Sequence, residues 1–97
     1  MYEVKNIIQS QEFDKLQIQK LAKNDALEIL SISLAKGAIF PEHSSPTDAN
    51  LVLLEGEIIF HINGEDYPIK KMEYLSFLKD EKHWVEAFED SKFLIIR

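Results

Sequence analysis

The sequence predicts an all-β protein, a small sandwich or barrel built from short strands. Three observations carry that prediction. Apolar and polar residues alternate along much of the chain, turn signals recur at short intervals, and helical periodicity is weak nearly everywhere.

The first strand is read from Leu16 and Ile18, which alternate with Lys15, Gln17 and Gln19. Lys23-Asn24-Asp25 supplies a tight turn into "ALEILSISLAKG", where Ile32 and Leu34 stand between Ser31, Ser33 and Ala35. The alternation slips near Ile29-Leu30, the mark of a β-bulge. "GAIFPEHSSPTDANLVLLEGE" then sets His43 in a polar loop ahead of an apolar run that closes on the turn Glu55-Gly56-Glu57. "EIIFHI" and "EDYPI" flank Asn63-Gly64, the strongest short hairpin signal, because a type I′ turn needs positive φ at both central residues. Pro68 cannot donate to a ladder and is expected at an edge strand or bulge. "EYLSFL", "HWVEAF" and "KFLIIR" bring the count to about eight short strands, and only "NIIQSQEFDKL" suits a short helical turn. The candidates for core and pocket wall are Phe40, Leu51, Leu53, Ile58, Phe60, Leu75, Phe77, Val85, Phe88, Leu94 and Ile96.

A chain of 97 residues without repeats, low-complexity tracts or linkers reads as a single domain, residues 1–97. With no cysteine, disulfides, zinc–thiolate sites and cysteine nucleophiles are excluded. A formal net charge of -6 argues against nucleic acid as a partner, since phosphates need a basic patch. The longest apolar runs, Leu51–Leu54 and Phe93–Ile96, are too short to span a bilayer, so no membrane is expected. "MYEVKNIIQSQEFDKLQIQK" lacks the apolar core of a secretory leader, and the cytoplasm is the expected address.

Gly37, His43 and the later Gly56, followed by the Asn-Gly hairpin and then by His83 in "FLKDEKHW", resemble the two motifs of the cupin family over roughly residues 20–97. The resemblance implies a double-stranded β-helix, a jelly-roll barrel. It divides the chain into an N-terminal strand or arm, residues 1–22, and a barrel, residues 23–97. It also implies a homodimer with residues 1–22 as the dimer element. By resemblance, His43 and His83 occupy metal-ligand positions for a divalent ion such as Fe, Mn, Ni or Zn. The chain departs from the pattern at the other two ligands. Ser45 stands at the second histidine position, and Ala49 (Asn50 at the longer spacing) at the glutamate position. Leu78 and Asp80 replace the usual proline and glycine, and Lys71-Met72-Glu73 replaces a glycine-aspartate turn.

A tight divalent site needs three or four protein ligands in fixed geometry, and a protonated serine hydroxyl is a poor one. Asp48 is the candidate third ligand from the same loop, in a two-histidine, one-carboxylate set, although it lies one residue off the ligand position. His43, Ser45 and His83 are the candidate ligand-binding residues of a pocket at the barrel mouth. His61 reads as a surface or rim histidine, and Trp84 as an outward-facing packing or dimer-contact residue. Glu55, Glu57, Glu86 and Glu89 read as solvated carboxylates, and no nucleophile elbow or phosphate loop occurs.

Three functional readings follow. The first is a small-molecule-binding barrel anchored by His43 and His83. The second is a metal-dependent isomerase or dioxygenase, and the third a structural or sensory dimerisation module.

Overall fold

The computed structural model describes residues 1–97. A single helical turn, α1 (Ile7–Ser10), precedes nine strands: β1 (Leu16–Lys23), β2 (Glu28–Leu34), β3 (Ile39–His43), β4 (Ala49–Glu55), β5 (Glu57–Ile62), β6 (Glu65–Lys70), β7 (Tyr74–Phe77), β8 (His83–Ala87) and β9 (Ser91–Ile96). They form two antiparallel sheets, ordered β1-β2-β9-β4-β7 and β3-β8-β5-β6. The expected eight strands become nine because His43 does not lie in a loop but ends a strand, β3. Pro41 and Glu42 masked that strand in the sequence, since neither favours one.

The inner faces of the sheets enclose the core. Ile32 and Leu34 from β2, Leu51 and Leu53 from β4, Ile58 and Phe60 from β5 and Phe93 from β9 are each 0–1% exposed. Alternation fixes which residues point in, as anticipated for β4 and β5. β9 runs against the expectation: Phe93 and Ile95 face inward, and Leu94 and Ile96 outward. The run "FLII" is apolar on both faces and carries no phase of its own. Phe88, also expected in the core, follows β8 and is 50% exposed.

The turns follow their chemistry. Asn63 and Gly64 adopt φ of 54° and 73°, as a type I′ hairpin requires. Asn24 Oδ1 accepts from the Ala26 and Leu27 amides, an Asx-type turn between β1 and β2. The slip near Ile29-Leu30 is a bulge whose extra residue, Leu21, belongs to the facing strand β1. Pro68 lies in β6, an edge strand. Asp80 and Met72, which replace residues of the cupin turns, hold positive φ of 65° and 72°.

Residues 7–15 lie across the outer face of the five-stranded sheet. Gln11, 8% exposed, donates from Nε2 to the Gln17 and Ser31 carbonyls and accepts from Ser31 Oγ. Ser33 Oγ donates to the Glu12 carbonyl. Lys92 Nζ donates to the Ile8 and Gln9 carbonyls at the end of α1 and sits 5.0 Å over the Phe13 ring. The buried polar side chains of this face are therefore matched by the segment that covers them.

Candidate functional site

β3 carries the feature that builds the site. Phe40 pairs with Val85 and His43 with His83, so three steps along β3 answer two along β8. Alternation alone would point residues three apart to opposite faces. The extra residue, at Pro41-Glu42, restores His43 to the inner face beside Phe40, as bulges re-aim side chains elsewhere. The two rings stack at 4.2 Å. His83 opens β8 on the inward phase of Val85 and Ala87, while Trp84 turns outward as expected. His83 is 3% exposed and packs between Phe60 and Phe77.

The two imidazoles meet, Nε2 to Nε2, at 3.0 Å. Each Nδ1 faces a carbonyl, His43 that of Pro41 at 2.7 Å and His83 that of Glu81 at 2.9 Å. Both Nδ1 atoms must donate there, and the Nε2–Nε2 contact needs one proton more. Two neutral imidazoles carry two protons, whereas these contacts call for three. The pair thus holds one net positive charge, or holds its Nε2 lone pairs toward something else that is cationic. Burial pushes the His83 imidazole below its ordinary value, reinforced by the charges of His43 and Arg97 and opposed by the Glu81 carbonyl.

A divalent ion fits this donor set poorly. Imidazole nitrogens about 3 Å apart can be neighbouring ligands of one ion with bonds of about 2.1 Å, but no third donor joins them. No group of three or more His, Cys, Asp or Glu side chains is placed to hold a metal. Ser45 is 2% exposed and its Oγ donates to the Thr47 carbonyl. Asp48 does not turn to the histidines; its Oδ1 accepts from the Lys79 amide and ties the β3–β4 loop to the β7–β8 loop. Ala49 starts the inward row Ala49, Leu51, Leu53 and brings only a methyl group to the glutamate position.

The histidines open onto a cavity of about 480 Å³, within the usual range for small-molecule sites. Ile18, Leu30, Phe40, Phe77 and Ile95 give it apolar walls, and Ser44 and Ser45 lie beside the histidines. Three further residues escaped the sequence reading: Lys20, Glu28 and Arg97. The signal was present. On β1, β2 and β9 the inward phases Leu16-Ile18-Lys20, Leu34-Ile32-Leu30-Glu28 and Phe93-Ile95-Arg97 each run out on a charged residue at the same barrel end. Arg97 Nε donates to Glu28 Oε1 at 3.0 Å, and Lys20 Nζ lies 3.5 Å from Oε2. The hydrogen bond from Arg97, helped by Lys20 against desolvation, holds the Glu28 carboxyl below its ordinary value.

His61 lies on the opposite, outer face of the four-stranded sheet, away from the pair. It stacks on Trp84 at 3.7 Å, with Nδ1 2.5 Å from Asp66 Oδ1 and Nε2 3.3 Å from Glu86 Oε2.

Two twisted antiparallel sheets closed around one core, with inward histidines at one mouth, define a jelly-roll barrel of the cupin type. The cupin domain family model matches residues 30–96, and the chain belongs to that family. Solved structures agree on the fold. An RmlC-like cupin protein from Desulfovibrio desulfuricans is 25% identical, with a TM-score of 0.87 over 99% of this chain and 95% of that one. A conserved protein of unknown function from Streptococcus pyogenes is 26% identical, with a TM-score of 0.82 over 99% and 86%. An RmlC-like cupin with a double-stranded β-helix fold from Methanocaldococcus jannaschii is 19% identical, with a TM-score of 0.81 over 100% and 87%. No curated protein matches the chain significantly. No helix is long and apolar enough to cross a membrane.

Proposed function

We propose that the protein binds a small molecule at the barrel mouth, with His43 and His83 as its polar anchors and Ser45 on the wall. The observation that carries this is the meeting of two imidazoles from separate strands at the mouth of a mainly apolar cavity of about 480 Å³. Binding rather than metal-dependent isomerisation or oxygenation is favoured because the pair lacks a third ligand. The cytoplasm remains the expected location. A thermal-shift screen of small metabolites tests the reading: binders should raise the Tm of the wild type. His43→Gln should weaken them about tenfold, the worth of one buried hydrogen bond to a charged group. Protein purified without added metal should hold far less than one ion per chain, and added divalent ions should leave Tm unchanged. Near-stoichiometric metal lost in His43→Gln would return the enzyme reading to first place.

A second reading concerns assembly and rests on a different face. Outward along the five-stranded sheet, beyond the part that residues 7–15 cover, Leu94, Val52 and Tyr74 form one cross-strand row, and Ile29 and Ile96 belong to the next. Tyr74 is 72% exposed, and Tyr2 and Val4 in the N-terminal arm are 97% and 102% exposed. We propose that a second copy of the chain covers this face, with the arm adding to the contact. The dimer element then extends beyond residues 1–22 to β4, β7 and β9. Sedimentation should give a dimer at micromolar concentration, and Leu94→Lys should raise its dissociation constant at least about tenfold. A monomer at about 100 μM, a concentration above any stable dimer's Kd, would reject this reading.

A further inference from the structure

The charged residues at the cavity mouth are unequal in number. Lys20 and Arg97 both line the cavity, and Glu28 is the only Asp or Glu side chain that does. Lys23, outside the cavity, stands a further 4.0 Å from the same carboxylate. Glu28 is thus shared among more cations than it can neutralise, on a chain whose formal net charge is -6. Arg97 is also underused. A guanidinium has five N–H donors in a fixed fork, and the side chain makes one hydrogen bond within the chain, from Nε to Glu28. It is 25% exposed, so its remaining donors sit in a partly desolvated wall where an acceptor is worth more than in water. The histidines add no negative charge to this balance.

We propose that the ligand of this cavity is a small organic anion, its carboxylate held by Arg97 and Lys20. Its apolar body lies against Ile18, Leu30, Phe40 and Ile95. This rests on the small-molecule reading above and names the ligand's class.

Benzoate and benzamide make the test pair, since they share a ring that the cavity can hold and differ in charge. Binding is followed by chemical-shift changes in ¹⁵N-labelled protein, with Phe40, Phe77 and Ile95 amides as cavity reporters. Benzoate should bind at least about tenfold more tightly than benzamide, as charge-assisted hydrogen bonds are roughly twice as strong as neutral ones. Arg97→Gln should abolish the preference, whereas Glu28→Gln should tighten benzoate several-fold by releasing both cations. The two variants break the same ion pair, so a shared loss of stability cannot move affinity in opposite directions. Equal binding of the two probes would overturn the anion assignment and leave the cavity a small-molecule site. Failure of both to shift the reporters would overturn the assignment as well, and the metabolite screen then decides the broader reading separately. Loss of benzoate affinity in Glu28→Gln would overturn the role given to Arg97 and Lys20.

Discussion

Gly56→Ala should destabilise this protein more than the same change at Gly37 or Gly64. Gly56 joins β4 to β5 at φ +87°, where an L side chain is strained. An added Cβ would also lie 2.4 Å from the Asp90 carbonyl and 2.7 Å from the Ser91 Cα, both backbone atoms. Ser91 is also pinned, because its Oγ donates its one proton to the Glu89 carbonyl at 2.7 Å and accepts from the Glu57 amide. Left-handed strain costs about 1–2 kcal/mol and overpacking about 1–3, so a loss of about 3 kcal/mol is expected. That is a Tm decrease of roughly 12–24 °C for a domain of this size. Gly64→Ala is the control. Its φ is +73°, but nothing lies within 4 Å of the added Cβ, so only strain of about 1 kcal/mol applies. Urea midpoints that fall equally in the two variants would show that backbone strain alone, and not the approach to β9, makes Gly56 necessary.

Much of the architecture is legible in local chemistry. Alternation in β4 and β5, the Asn63-Gly64 turn and the outward step from His83 to Trp84 each follow from residues a few positions apart. What was illegible needed a neighbour to set it. The phase of "FLII" is decided by Ile32 and Leu53, which flank Phe93 from β2 and β4. β3 looks like a loop until its bulge is seen against β8. The site divides in the same way. Cupin-like spacing singled out His43 and His83, and the structure brings their Nε2 atoms together. Asp48 is a candidate ligand only by its position in sequence, and a loop carboxylate within reach of a free amide takes that amide, here that of Lys79. Lys20, Glu28 and Arg97 were missed because each looks like an ordinary strand-end charge. Only the pairing of β1, β2 and β9 reveals that all three end on the inward phase at one mouth.

The second large effect is expected at His83, and it has a stability arm and a pH arm. His83→Ala would remove a ring packed between Phe60 and Phe77 and strip a partner from His43 and from the Glu81 carbonyl. A cavity of that kind costs about 3 kcal/mol at neutral pH. The pH arm follows from charge. Burial, first of all, disfavours the protonated form of His83 in the folded chain and lowers its value from 6.5. The unfolded chain therefore takes up this proton at a pH where the folded chain refuses it. Stability from this residue is complete above 6.5 and is lost as the pH falls from there toward the folded-state value. Glu28 acts in a separate window. Its carboxyl lies below 4.5 in the folded state, so its contribution is lost only on further acidification. The Tm of the wild type should accordingly decline as the pH falls below 6.5, ahead of general acid unfolding. His83→Phe keeps an aromatic ring between Phe60 and Phe77 but has no proton to exchange, so its Tm should be nearly flat over that fall. It would start below the wild type at pH 7, lacking the bonds to Glu81 and His43, and the two curves should converge on acidification. Parallel curves would place the acid sensitivity in another residue. They would also remove the reason for taking burial as the force that keeps the proton off His83.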